Sequence, residues 1–328
     1  MSLELPWLAE PWAHAAQSLE RGRVPTGLLI LGRAGLGRGQ LAEAIARALL
    51  CLEPRADATA CGRCAACREM DAGAHPDFLS LHLLEGKTQI LVEQVRELTR
   101  GLSLTAGAKG VRCAVVSPAE KLNATAANAL LKTLEEPPAG VTLVLVAESA
   151  SQLLPTIASR CLRLPVPIPA PEAALAWLNA REKRSDWPLL LALSAGAPLA
   201  AVDLAEAGDG NVNRNLQALM DAAARRADPL VVAGNFSAWS LARFAVLVAW
   251  LAWAVSRAAT STAAAPRAAW WPHEITELST RADTRRLATA WREANRLAGD
   301  TRAVNDILAR EHLILLFINA FRVDPRRS

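Results

Sequence analysis

The feature that most constrains the fold is a short apolar run that enters a glycine-rich loop and continues as a helix. Residues 26–31 read TGLLIL, residues 32–39 read GRAGLGRG, and residues 40–50 read QLAEAIARALL with apolar residues at helical spacing. In such a strand, loop and helix, backbone N–H groups and the helix amino terminus can receive a phosphate. The segment therefore predicts a P-loop in an α/β domain.

The predicted loop lacks the side chains that do the chemistry in a nucleotide site. Its candidate binding residues are Gly32, Gly35, Gly37, Arg38 and Gly39. Arg38 stands where the template has lysine, and Gly39 stands where a hydroxyl would ligate Mg²⁺. Ser117 and Pro118 end a later apolar run, where a carboxylate pair would complete the site. We therefore expect no productive ATP binding and no hydrolysis. The alternative interpretation is a tight strand–helix turn with no role in phosphate binding.

Strands and helices alternate over the first 165 residues or so, and helices alone follow. The pattern predicts further strands at 77–83, 111–116 and 141–146 and further helices at 90–101, 124–136 and 152–159. Such alternation is typical of a parallel, doubly wound sheet. A proline-rich segment, PVPIPAPEA at 165–173, then reads as a linker. The later periodic segments are helical, including one predicted at 302–321.

Targeting signals and membrane spans are not expected. The opening MSLELPWLAE lacks a cationic start followed by an apolar run. The apolar run Phe244–Val255 is too short to cross a bilayer, so it predicts a buried helix. We expect a soluble, cytoplasmic protein. Its net charge of +4 is compatible with a nucleic acid nearby but does not establish one.

Four cysteines form a candidate metal site. They are Cys51, Cys61, Cys64 and Cys67, spaced C-x9-C-x2-C-x2-C. Four thiolates in a short segment of an intracellular protein suit tetrahedral zinc, and a full set of four ligands makes the zinc structural. Free thiols and an iron–sulfur cluster are the alternatives. Cys113, within a predicted strand, is expected in the core, and His75 in a turn.

Several segments, in this order, resemble one known family. They are the altered P-loop, the cysteine cluster, GAHPD at 73–77, ANALLKTLEEPP at 127–138 and SRC at 159–161. Together they resemble the delta-prime subunits of bacterial DNA polymerase III clamp loaders, which are AAA+ proteins. The resemblance covers about residues 25–165. The motor subunits of such loaders keep the P-loop lysine and the acidic pair, from which this chain departs.

The resemblance implies a fold and a set of partners. It implies an AAA+ domain at 1–166 with a zinc-binding insertion at 51–67, a small helical lid domain at 167–208 and an all-α collar domain at 209–328. It implies gamma/tau ATPase subunits and delta as neighbours, with primed DNA and the sliding clamp met through the complex. The chain would be a non-catalytic subunit of a DNA-directed DNA polymerase holoenzyme, a nucleotidyltransferase at the level of the complex.

The resemblance also assigns a role to Arg160, in the tripeptide Ser159, Arg160 and Cys161. In the family this arginine is a trans-acting finger that reaches the γ-phosphate of ATP in the adjacent subunit. On the residues alone, a surface arginine in a structural salt bridge is the competing interpretation.

Other polar residues could face DNA. In the family, the region around Asn128 and Lys132, four apart on one predicted helix, lies near the DNA chamber. Lys109, Arg112 and Lys121 could contact phosphates or form a solvated basic edge. Two other functions stay open: an active ATPase that uses Arg38, and a free-standing zinc module that binds nucleic acid.

Overall fold

The chain forms two compact units that divide at residue 170. This computed structural model describes residues 4–20, 24–206, 212–237, 239–260, 273–299 and 305–321. The predicted boundary at 208 lies outside the described residues, so the division into lid and collar stays a prediction.

The first unit is a parallel sheet with helices. Its strands are β1 Gly27–Leu31, β2 Phe78–His82, β3 Arg112–Ser117, β4 Val141–Ala147 and β5 Leu162–Pro165. Its helices are α1 Ala9–Glu20, α2 Arg38–Leu50, α3 Ala65–Asp71, α4 Val92–Leu102, α5 Ala124–Glu135 and α6 Pro155–Ala158. The strand order is β2-β3-β4-β1-β5, with every pairing parallel. The α/β class with a parallel sheet and a helical remainder, as expected for an AAA+ chain, is confirmed.

Burial explains which strands the sequence revealed. Every residue of β4 is buried, and β3 is buried up to its last residue, because both strands lie inside the sheet. The edge strand β5 was missed. It has four residues, three of them exposed, and it ends at Pro165, which an edge tolerates since the proline nitrogen has no hydrogen to donate.

The segment before β5 also differs from the prediction. Instead of one helix over 152–159, a 3₁₀ turn at Ala150–Gln152 is followed by the four-residue helix α6. Pro155 starts α6, where its missing N–H costs nothing.

The second unit is helical throughout its described part. Its helices are α7 Pro171–Arg181, α8 Trp187–Leu193, α9 Pro198–Glu206, α10 Val212–Ala223, α11 Pro229–Gly234, α12 Leu241–Thr260, α13 His273–Ser279, α14 Thr284–Gly299 and α15 Asp306–Ile318. The start of the helix predicted at 302–321 lies outside the described residues.

Helix α12 contains the long apolar run. It has 20 residues and is long and apolar enough to span a bilayer, yet ten of them are buried in the core of the second unit. The helix predicted at Phe244–Val255 is therefore a core helix, as expected. Trp250 is buried, whereas Trp253 is 45% exposed and lies beneath the Arg257 guanidinium.

Candidate functional site

The loop between β1 and α2 needs its glycines. Gly35 and Gly37 have left-handed φ angles of 77° and 85°, which residues with a side chain rarely adopt. A side chain at Gly37 would also collide with Leu5, from the amino-terminal turn. Trp7, in the same turn, donates its indole N–H to the carbonyl of Leu36 over 2.9 Å. The turn before α1 therefore packs directly against the loop.

Arg38, at the lysine position of the loop, faces a carboxylate. Its side chain is 12% exposed, and its Nη2 lies 3.8 Å from Oε1 of Glu148. Glu148 directly follows β4, the strand beside β1. A phosphate entering this loop would meet the Glu148 carboxylate as well as the arginine, so the net attraction for an anion is reduced. The sequence did contain the signal, an acid just after a central buried strand, but that signal was missed.

The two positions that hold Mg²⁺ in a P-loop enzyme lack their usual ligands here. Gly39 lies in the first turn of α2 and has no side chain. β3 ends at Ser117, followed by Pro118 in place of a carboxylate pair. The glycine-rich loop between β1 and α2 is thus present without the side chains that would bind the metal.

Arg160 lies just before β5 and is held at two points. Its Nη2 lies 2.7 Å from Oε1 of Glu135, and its Nη1 donates to the carbonyl of Thr156 over 3.0 Å. Glu135 is the last residue of α5, 25 positions away in the sequence. The Arg160 side chain is 38% exposed, so the guanidinium is both tethered and accessible.

Cys161, the residue after Arg160, is buried in the core and so fixes the backbone beside the arginine. It is 8% exposed and packs with Leu134 against the start of β1. A Cβ at Gly27 would lie 2.9 Å from Cys161 Sγ and 3.2 Å from the Arg160 carbonyl oxygen. Burial raises the pKa of the Cys161 thiol to about 11, so it stays a neutral packing group.

Arg160 and the phosphate loop lie at opposite ends of the strands of the sheet. Gly27 is the first residue of β1, and the loop begins at Gly32 after its last residue. Five residues of strand at about 3.3 Å each separate the two positions by roughly 16 Å. Arg160 therefore lies near the amino-terminal ends of the strands, remote from the phosphate loop of its own chain.

The four cysteines converge. Their Sγ atoms all lie within 4.8 Å of one another, with Cys51–Cys64 and Cys61–Cys67 separations of 3.9 Å. Tetrahedral zinc with Zn–S bonds of about 2.3 Å sets its sulfurs about 3.8 Å apart. All six cysteines of the chain are free of disulfides. The cluster could therefore hold a metal ion with four thiolate ligands.

Backbone amides surround these sulfurs and change the pKa of their thiols. The amides of Cys64 and Cys67 donate to the sulfurs of Cys61 and Cys64 respectively. Burial acts to raise the pKa of Cys64, but amide hydrogen bonds from Cys67 and Leu52 outweigh it and lower that pKa to about 6. Burial raises the pKa of Cys67 to about 12. The amides thus favour a thiolate at Cys64, the form that binds a metal.

Two of the residues considered for DNA phosphates have other partners. Arg112 is buried and lies 3.1 Å from the carboxylate of Asp77, so it can belong neither to a solvated edge nor to a phosphate site. The Lys109 ammonium donates to the carbonyls of Cys51 over 2.6 Å and Ala48 over 3.3 Å, at the end of α2. Burial lowers the pKa of this ammonium, while the nearby thiols act to raise it.

Other predicted polar residues remain at the surface. Lys121, Asn128 and Lys132 are exposed, the last two on α5. His75 accepts a hydrogen bond from the Asp77 amide at 3.1 Å, in the turn expected for it, and Cys113 is fully buried as predicted.

The comparisons with known proteins point to replication subunits. The family model described as DNA polymerase III, delta subunit, matches residues 8–169. DNA polymerase III subunit delta' of Pseudomonas aeruginosa is 43% identical over 196 residues, which is 58% of this chain and 60% of that protein. The protein of the same name from Haemophilus influenzae is 34% identical over 232 residues, 70% of each chain. The similarity to the first of these spans about three fifths of its length.

Among solved structures, a DNA polymerase III gamma subunit-related protein from Thermotoga maritima is similar over 95% of this chain and 100% of its own. The sequence identity is 17% and the TM-score is 0.45.

Proposed function

The chain belongs to the DNA polymerase III subunit delta' family, and from this premise we propose that it is a non-catalytic subunit of a bacterial clamp loader. In this role it helps to place the sliding clamp on primed DNA and supplies Arg160 to the ATP site of a neighbouring subunit. It acts in the cytoplasm, beside gamma/tau ATPase subunits and delta, within a DNA polymerase holoenzyme. Residues 167–208 form its lid and residues 209–328 its collar.

The position of Arg160 carries this proposal. The arginine lies near the amino-terminal end of β1, and its own phosphate loop lies roughly 16 Å away at the other end of that strand. It therefore cannot serve a nucleotide bound there. Its guanidinium is partly exposed yet held by Glu135 and the Thr156 carbonyl. A fixed guanidinium that reaches a neighbour's γ-phosphate neutralises charge that develops during phosphoryl transfer, an effect of about 10³–10⁵ in rate.

The phosphate loop supports the non-catalytic part of the proposal. Arg38 replaces the lysine and is opposed by Glu148, Gly39 offers no hydroxyl to Mg²⁺, and Ser117 and Pro118 offer no carboxylate. These defects lie on two separate elements, α2 and the end of β3, so one substitution would not restore hydrolysis. The competing function, an ATPase that uses Arg38, predicts turnover by the purified chain alone.

Zinc is the metal proposed for the cysteine cluster. Four thiolates occupy all positions of a tetrahedral site, so no position is left for a reactive water and the role is structural. When bound, the ion would tie the segment between α2 and α3 to the end of α2.

The experiment compares Arg160→Ala with Arg163→Ala in the assembled loader. Arg163, on β5, is an exposed arginine three residues after Arg160 and serves as a control for the loss of charge. We expect DNA-dependent ATP hydrolysis to fall at least about 10³-fold at the site served by Arg160 and to stay near normal in Arg163→Ala. An unchanged rate in Arg160→Ala would remove the finger role. Turnover by the isolated chain would favour the active ATPase.

A further inference from the structure

The contact between Arg160 and Glu135 joins two segments that are distant in the sequence. The guanidinium Nη2 lies 2.7 Å from the carboxylate, and the two side chains are 38% and 47% exposed. On the opposite side, Nη1 donates to the carbonyl of Thr156, one turn earlier. The arginine is therefore gripped between the end of α5 and α6.

Stability alone gives little reason for this carboxylate. Glu135 is the last residue of α5, where its negative charge opposes the helix dipole. An ion pair with both partners this exposed adds little to folding, since solvent screens it. The consequence of the contact lies in the arginine itself, because a long side chain with many rotamers is kept in one orientation.

The free edge of the guanidinium is compatible with a phosphate ligand. Arginine has five N–H donors, and the contacts with Glu135 and Thr156 engage Nη2 and Nη1. The remaining donors stay available for oxygen atoms from outside the chain. The nearby carboxylate also weakens the attraction of the guanidinium for any distant anion. Glu135 thus orients the Arg160 guanidinium but does not strengthen its binding of a phosphate.

We infer that Glu135 is the positioning residue for Arg160, holding the guanidinium in the orientation that meets the γ-phosphate of a neighbouring subunit. The inference rests on the proposed finger role of Arg160. It predicts that loss of the carboxylate lowers kcat for ATP in the assembled loader about tenfold and leaves KM unchanged, because misplacement of a group affects the reacting geometry rather than substrate binding.

The test uses the full chain assembled with its ATPase partners. Glu135→Ala removes both charge and acceptor, Glu135→Gln keeps an acceptor oxygen of the same shape, and Glu136→Ala removes the adjacent exposed carboxylate as a control. We expect kcat to fall most in Glu135→Ala, less in Glu135→Gln and not in Glu136→Ala. Native mass spectrometry verifies assembly, and if Glu135→Ala does not assemble, the isosteric Glu135→Gln decides the question.

A double-mutant cycle separates this inference from the proposed function. If Glu135 acts through Arg160, Glu135→Ala has no further effect on kcat once Arg160→Ala is present. A normal kcat in Glu135→Ala beside a slow Arg160→Ala would overturn the positioning role and leave the finger role intact. An equal loss in both backgrounds, or a rise in KM alone, would also overturn it. A normal rate in Arg160→Ala would refute the finger role, and the positioning role with it.

Discussion

The packing beneath Arg160 makes the substitution Gly27→Ala informative. The new methyl would lie 2.9 Å from Cys161 Sγ, 2.9 Å from Leu134 Cδ2 and 3.2 Å from the Arg160 carbonyl oxygen. Favourable contacts between such atoms begin at about 3.5–4.0 Å, so all three approaches are too close. Cys161 and Leu134 are 8% and 7% exposed, so neither can swing into solvent.

The expected cost follows from this geometry. Overpacking by one methyl group costs about 1–3 kcal/mol, and the reduced entropy of the unfolded chain returns about 0.4–1 kcal/mol. We expect the first unit to lose about 1–2 kcal/mol in its free energy of unfolding. For a unit of about 170 residues this corresponds to a fall in Tm of roughly 2–8 °C.

The assay must report on the first unit alone. Cys113 is fully buried there, and burial raises its thiol pKa to about 12, so it reacts with a thiol reagent only when the sheet opens. Labelling of Cys113 across a urea series, read by mass spectrometry, gives the midpoint of unfolding. A matched control is Gly39→Ala, in helix α2, where no atom outside the neighbouring backbone lies within 4 Å of the new methyl. The control should be neutral or stabilising by up to about 1 kcal/mol.

The double variant Gly27→Ala/Cys161→Ala tests the cause. Removal of the sulfur makes room for the methyl, so the double variant should be more stable than the sum of the two single effects predicts. Strict additivity, or a Gly27→Ala chain as stable as the unchanged protein, would refute the packing argument.

Further predictions concern the metal and the phosphate loop. The purified chain should contain close to one zinc, measured by elemental analysis, and iron or no metal would contradict the assignment. Lys109→Met should lose metal to a chelator roughly 10-fold faster than Lys121→Met, because only Lys109 binds the Cys51 carbonyl beside the thiolates; equal rates would count against this role. Arg38→Lys with Gly39→Thr should create no ATPase, because Ser117 and Pro118 still provide no carboxylates; clear turnover would contradict the view that the site has independent defects.

Local patterns predicted most of the sheet, and their failures have physical causes. β4 was visible because both of its faces are buried, which produces a continuous apolar run. β5 was missed because an edge strand buries few residues, and its four residues, LRLP, form no continuous apolar run. Helix α3 begins after Cys64 and contains Cys67, in a segment where the sequence pattern predicted a metal site but no helix.

The candidate site divides in the same way. The glycines of the phosphate loop and the cysteine spacing are local signals, and the sequence displays both. The contacts of Arg38 with Glu148 and of Arg160 with Glu135 join residues 110 and 25 positions apart, so only the folded sheet brings them together. Arg112 illustrates the opposite error, since its charge suggested a surface role whereas Asp77 pairs with it in the interior.

The two ends of the strands explain why the proposed lack of ATP hydrolysis is compatible with the proposed role of Arg160. The residues Arg38, Gly39 and Ser117 lie at the carboxyl-terminal ends of the strands, where β1 and β3 end. Cys161 packs against Gly27 at the amino-terminal end of β1, roughly 16 Å along the strand from the phosphate loop. The atoms nearest to Gly27 there belong to Cys161, Leu134 and Arg160, not to the loop. Changes in the phosphate loop therefore leave the packing that supports Arg160 intact. An arginine held at that end of the strands lies far from its own phosphate loop, so the proposed finger role requires a phosphate supplied by another chain.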